Sequence, residues 1–173
     1  MKFTSPFKLK LIYVFRINGE THKGCLKIGE TTLDNDHNWG LEPNSSALNR
    51  AAKKRINQYT QTAGIVYDLL YTEVAVYVEK GVMKAFSDSE IHNVLMRSGI
   101  KRKTFDIVNK ANEWFVTDLG TVKKAIVAVK RGKDALHASE VSKTQSPVVF
   151  RPEQKEAIEK AIEQFKKGNE MLW

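Results

Sequence analysis

The sequence predicts an α/β (α+β) fold, a small and mainly antiparallel sheet flanked by helices. Two observations carry most of that prediction. Residues 9–17, LKLIYVFRI, form an apolar run rich in β-branched and aromatic side chains. Asn18-Gly19 follows as a hairpin signal, and residues 24–29, GCLKIG, read as the returning strand. Amphipathic segments with recognisable start and stop residues then follow strand-like ones along the chain.

The elements follow in order. Glu30 to Ser45 is polar and carries Asp34, Asn35, Asp36, Asn38, Gly40 and Pro43, a loop longer than most connections. Ser45 or Ser46 caps a helix reaching about Gln61, with Gly64 just beyond. Leu48, Ala52, Ile56 and Tyr59 fall on one face of it, and Arg50, Lys53, Lys54 and Arg55 make it basic. Residues 66–78, VYDLLYTEVAVYV, are strand-like. A second helix starts near Ser87, runs to about Arg97 and stops at Gly99. Residues 113–117 suggest a short strand, and Asp118 caps a third helix reaching about Arg131. Residues 132–149 are polar and aperiodic and read as a linker. The segment after Arg151 is an amphipathic helix with Pro152 in its first turn, an Ile158, Ala161, Ile162 and Phe165 stripe, and Gly168 at its end.

Bulk properties narrow the function classes. The 173 residues carry a formal net charge of +8 with a pI of about 9.5, a balance that favours a polyanionic partner, most commonly nucleic acid. Cys25 is the sole cysteine, which excludes an intramolecular disulfide and a cysteine-based zinc site. No stretch approaches the ~18 apolar residues of a membrane span, and the N-terminus lacks the apolar core of a signal peptide. A cytoplasmic protein is the expectation. The densest basic segment is 100–133, with nine Lys/Arg against three Asp/Glu. Lys101, Arg102, Lys103, Lys123 and Lys124, with Lys53 and Lys54 of the first helix, are the candidate DNA phosphate contacts.

A few residues suit phosphodiester hydrolysis, which needs a base to activate water, a cation to neutralise developing charge and a carboxylate to hold a metal. Tyr13 and Lys27 sit on adjacent strands, Arg55 and Tyr59 on the basic helix, and Glu90 in the first turn of the second helix. Each also has a structural reading. Tyr13 suits a central strand, and Arg55 suits a solvated helix face. Ser87-x-x-Glu90 is a capping box with Phe86 and Ile91 as its hydrophobic staple. A glutamate turned back to its cap does not also reach into a cleft. If Asp88 caps instead, Glu90 is free. His37 and His92 lack the paired spacing of a zinc site.

The segments Leu11-Ile12-Tyr13 and Lys27-Ile28-Gly29 resemble the two halves of the GIY-YIG signature. Arg55-Ile56-Asn57-Gln58-Tyr59 is similar to that superfamily's Arg-x-x-x-His/Tyr, and Phe86 to His92 to its glutamate helix. Glu113-Trp114-Phe115 resembles a closing element of the phage and restriction-associated branch. The resemblance covers roughly residues 9–130. Leu11 stands where the first glycine would be and Lys27 where the second tyrosine would be. The resemblance implies an Mg²⁺- or Mn²⁺-dependent endonuclease acting on duplex DNA by in-line attack of water. Tyr13 or Lys27 would be the base. Arg55 would grip a phosphate oxygen, Tyr59 would orient water or phosphate, and Glu90 would be the single protein ligand of the metal.

Phe150-Arg151-Pro152-x-Gln154 with Ala157-Ile158 resembles the opening of a helicase motor. The expected organisation is therefore a nuclease domain at 1–131, a linker at 132–149 and the start of a helicase-like region at 150–173 that continues in a longer polypeptide.

Overall fold

The computed structural model describes residues 9–33, 41–105, 112–141 and 152–167. Its centre is a four-stranded sheet. In chain order the strands are β1 (Lys10–Ile17), β2 (Cys25–Thr32), β3 (Tyr67–Val74) and β6 (Trp114–Val116), and in space they run β3-β1-β2-β6 with every pairing antiparallel. A separate hairpin joins β4 (Val76–Glu79) to β5 (Val82–Ala85). The helices are α1 (Ser46–Thr60), α2 (Asp88–Arg97), α3 (Leu119–Lys130) and α4 (Pro152–Lys167). The expected mixed fold, with a mainly antiparallel sheet flanked by helices, is what forms. No described helix is long and apolar enough to cross a membrane.

The continuous apolar run of β1 has a simple cause: both faces of this central strand are covered. Alternate residues point to opposite faces. Ile12 and Val14 join Ile28 in a core closed by α2 and α3, through Ile91, Leu95, Val122 and Ile126. Leu11, Tyr13 and Phe15 join a second core closed by α1, through Leu48, Ala52 and Ile56. Full burial of side chains such as Phe15 and Ile28 contributes about 1.5–3 kcal/mol each.

Several expectations change. Asn18-Gly19 does not make a two-residue turn. Glu20–His22 forms a 3-10 turn before Gly24 enters the left-handed region at φ 71°, and Asn18 Nδ2 instead donates to Asp68 Oδ2 at 2.8 Å. The strand expected over 66–78 breaks at Ala75, whose N–H donates to Lys10 O at 2.8 Å and ends the β1 ladder. The chain then forms the β4–β5 hairpin, turning through Lys80 and Gly81 at φ 52° and 77°.

The first part of the expected linker is packed. Leu136 is buried in the α2–α3 core, its N–H donates to Ser98 Oγ at 2.8 Å, and Asp134 pairs with Arg97 at 2.7 Å. Residues 142–149 and 168–173 lie outside the described residues, as do His37, Trp39, Asp34 and Asp36 of the long loop. In α4, Ile158 and Ile162 are exposed, and the Phe165 side chain is outside the described set.

Candidate active site

Tyr13 pairs directly with Gly29 across β1 and β2. Its ring crosses the bare α-carbon of that glycine: a β-carbon there would meet Tyr13 Oη at 2.7 Å and Cζ at 2.8 Å. The tyrosine is almost fully buried, at 3% exposure, yet its hydroxyl is carried beyond its own strand toward the outer edge of β2.

That edge ends abruptly. The β6 ladder covers Cys25 to Lys27, and one further bond runs from Ile28 N to Glu113 O at 3.0 Å. From Gly29 onward β2 has no ladder partner on that side among the described residues. The first turn of α2 sits there instead, with Asp88 N donating to Glu30 Oε2 at 3.2 Å. The Tyr13 face and the α2 face of the sheet therefore meet over one short stretch of edge.

Helix α1 brings two more residues. At about 100° per residue, Leu48, Ala52, Ile56 and Thr60 form its buried stripe. Asn49 and Asn57 flank that stripe on the β3 side, where they accept from Thr72 Oγ1 and Tyr67 Oη, each at 2.8 Å. Arg55 and Tyr59 flank it on the other side, toward Tyr13. The Tyr59 hydroxyl, beside that of Tyr13, lowers the Tyr13 pKa, and the Arg55 charge lowers the pKa of both tyrosines. Arg55 Nη1 donates to Gln58 Oε1 at 2.8 Å, and its guanidinium stays exposed.

Lys27 completes the group from β2. Its ammonium lies 4.5 Å from the Tyr59 ring centroid and 2.9 Å from Glu113 Oε2, with the side chain only 16% exposed. Burial raises the pKa of Tyr13 and of Tyr59 above the ordinary tyrosine value, and Glu113 adds to the rise in each. Asp88 is likewise raised, first by burial, then by the Glu30 and Glu113 carboxylates, with His92 opposing them. Burial lowers the His92 pKa, and its Nε2 lies 3.0 Å from Ile28 O.

Four of the five residues expected to carry the chemistry thus come together: Tyr13, Lys27, Arg55 and Tyr59. Glu90 does not join them. Ser87 is the N-cap of α2, and Glu90 Oε2 accepts from Ser87 N at 2.7 Å and from Ser87 Oγ at 3.1 Å. Reciprocal capping satisfies an otherwise unpaired backbone donor, so this carboxylate is held at the cap. Of the two α2 carboxylates in that first turn, the one whose charge raises the Tyr13 pKa is Asp88, after the larger effects of burial and Glu113. Asp88-x-x-x-His92 was the available signal, because residues four apart share a helix flank whereas Glu90 and His92 do not. Glu113 was readable only as part of a closing element, since its ion pair with Lys27 depends on strand register. Among the described residues no group of three or more His, Cys, Asp and Glu side chains is arranged to hold a metal ion.

The expected DNA contacts do not line one track. Lys53 lies on the β3 flank of α1, away from Arg55, and Lys54 points away from the sheet. Lys123 and Lys124 are exposed on α3, across the sheet from α1. Residues 101–103 run beside the outer edge of β6. Val116 N donates to Lys101 O and Lys103 N to Trp114 O, both at 2.9 Å, and Arg102 stacks 5.7 Å from the Phe115 centroid.

No family model, curated protein or solved structure matches the chain.

Proposed function

We propose that this chain is a metal-dependent endonuclease that hydrolyses DNA phosphodiesters, with its chemistry at the β2 edge beside Tyr13, and that it is the nuclease part of a larger restriction- or helicase-type polypeptide. The observation that carries the reading is the meeting of the Tyr13 and Tyr59 phenols with two cations, Arg55 and Lys27, at one spot. Tyr59 packs its ring near Phe15 in any case, and the guanidinium and second phenol beside Tyr13 both lower its pKa. A tyrosine that must accept a proton gains from both.

In this reading Tyr13 Oη takes the proton of the attacking water as the water oxygen bonds to phosphorus. Tyr59 donates to the Tyr13 phenolate oxygen before the transfer and so favours the ionised form that acts as the base. The exposed Arg55 guanidinium grips non-bridging phosphate oxygens with its planar fork. The bond to the leaving oxygen breaks, and that oxygen takes a proton from solvent. Lys27, held by Glu113, supplies fixed positive charge. This favours Tyr13 over Lys27 as the base, because the ammonium is engaged as a cation. The raised Tyr13 pKa means a small phenolate fraction at neutral pH and a rate that climbs with pH.

The donor set suits Mg²⁺ or Mn²⁺ bound by a single protein carboxylate, waters and substrate phosphate. Asp88 would hold the ion: its carboxyl, whose pKa is raised first by burial and then by the Glu30 and Glu113 charges, sits where a cation would relieve that repulsion. When bound, such an ion neutralises charge developing on phosphate oxygens. Glu90, engaged at the cap, is not given this role.

The test is nicking of supercoiled plasmid with Mg²⁺ or Mn²⁺ and with EDTA, beside Asp88→Asn and Arg55→Ala. Metal-dependent nicking lost in both variants supports the reading. Salt-sensitive DNA binding with no cutting by any form favours a catalytically silent module that targets a helicase.

A further inference from the structure

The last turns of α3 and the segment that follows enclose a cleft of about 190 Å³ lined by Lys123, Lys124, Val127, Ala128, Arg131, Lys133 and Glu140. Four of its seven lining residues are cationic and one is anionic. The anion is held in place: Glu140 Oε2 accepts from His137 N at 2.8 Å, a bond that, with the nearby Lys133 and Lys124 charges, holds its carboxyl below the ordinary glutamate range and leaves the cations in excess. Lys124 Nζ donates to Glu140 O at 2.8 Å, which ties the far wall to α3. Lys123 rests its ammonium 4.6 Å from the Tyr71 ring centroid. Among the described residues no carboxylate comes within ion-pair distance of Lys123, Arg131 or Lys133. The wall opposite α3 is fixed rather than loose, since Leu136 is buried in the core and bonded to Ser98.

The excess of cations exceeds what the helix end requires. One or two lysines complement the negative end of a helix macrodipole. Here four cations line a concavity with an apolar floor of Val127 and Ala128, and among the described residues Glu140 is the one anion that lines it. We infer that this cleft is a second nucleic-acid contact that receives backbone phosphates of duplex DNA through Lys123, Arg131 and Lys133. It lies across the sheet from α1 and Arg55. The choice of DNA as the anion rests on the nuclease reading, while the phosphate chemistry of the cleft does not.

The experiment measures binding of a fluorescein-labelled 25-base-pair duplex by anisotropy, in EDTA so that no cutting occurs, across a KCl series. It compares the full chain with a Lys123→Ala, Arg131→Ala, Lys133→Ala triple variant. A control variant removes the same charge elsewhere through Lys23→Ala, Lys80→Ala and Lys84→Ala. Each phosphate contact contributes about −0.9 to the slope of log K against log salt. The cleft variant is expected to lose about 2.7 from that slope, and about five-hundredfold in affinity near 100 mM salt. The control is expected to keep its slope. An unchanged slope in the cleft variant, or an equal loss in the control, overturns the inference. So does a cleft variant that stops binding phosphatidylserine vesicles while holding DNA as before. Binding through the cleft without nicking by the unaltered chain would sink the nuclease reading alone, and nicking with an unaltered slope would sink the cleft alone.

Discussion

The ring of Tyr13 lies across the α-carbon of Gly29, its directly paired neighbour, at a distance that leaves no room for a methyl group. The glycine is needed for this crossing and not for an unusual backbone angle, because Gly29 is not among the residues with positive φ. Gly29→Ala is therefore expected to push the ring off its seat. Overpacking of this kind costs about 1–3 kcal/mol, readable in urea unfolding. Nicking should fall further than that loss of stability accounts for, because the hydroxyl also loses its place beside Tyr59. Full activity in a folded Gly29→Ala protein would show that the ring position does not matter to the chemistry.

The two acidic residues of the first turn of α2 should separate cleanly. Glu90→Ala removes a capping partner and is expected to cost about 1 kcal/mol of stability, with metal-dependent nicking retained. Asp88→Asn is expected to abolish nicking and to change stability in a pH-dependent way. The folded-state pKa of Asp88 is raised, so the native state holds its proton more firmly than the unfolded one. Stability of the unaltered protein then falls as pH rises from about 4 through the raised value, and is level beyond it. The Asn variant lacks that fall. Urea unfolding between pH 3.5 and 7 should show its stability, relative to the parent, improving with pH over that window. A difference constant with pH would show that Asp88 does not hold its proton more firmly in the folded protein.

Much of the architecture was legible because the signals were local. Ser87-x-x-Glu90, Asp118 before α3 and Gly99 after α2 mark helix ends through bonds made within a few residues. The doubly buried β1 announces itself as an unbroken apolar run. Non-local consequences were harder to read. Ala75 looks like any strand alanine until the Lys10 carbonyl takes its N–H, and the Lys80-Gly81 turn hides between residues that all have strand-like composition. At the site, the pattern placed Tyr13, Lys27, Arg55 and Tyr59 on the right elements. The Asp88-x-x-x-His92 spacing offered a signal for the shared flank, but the choice between Asp88 and Glu90 is decided by which carboxylate the Ser87 backbone claims. The pairing of Lys27 with Glu113 needs the β2–β6 register, and nothing in a linear reading specifies that register.

The Tyr59 hydroxyl lowers the pKa of Tyr13 against the larger effect of burial. Tyr59→Phe removes that hydroxyl and keeps the ring under the Lys27 ammonium. Tyr13 should then ionise at higher pH, and the rising limb of the pH–rate profile should move to higher pH with it. One pKa unit would reduce the phenolate fraction, and so the rate at fixed neutral pH, by about tenfold. A profile that only drops in height would assign Tyr59 to substrate positioning.

Glu113 predicts the opposite displacement. The charged groups that shift Tyr13 are Arg55 from α1, Asp88 from α2 and Glu113 from the residue before β6, and the two carboxylates raise its pKa. Glu113→Gln removes one of them and leaves the Lys27 ammonium, previously 2.9 Å from that carboxylate, without its counter-charge. Both changes make the surroundings of Tyr13 more positive and favour the phenolate. The rising limb should therefore move to lower pH, opposite in sign to Tyr59→Phe, and the double variant should fall between the two singles. The sign is the discriminating quantity, since general damage to the site lowers rates without moving the limb toward acid. A Glu113→Gln profile displaced to higher pH, or not displaced, would mean that the proton-accepting group is not Tyr13. Repeating the measurement with Lys27→Met would then show whether the limb belongs to Lys27.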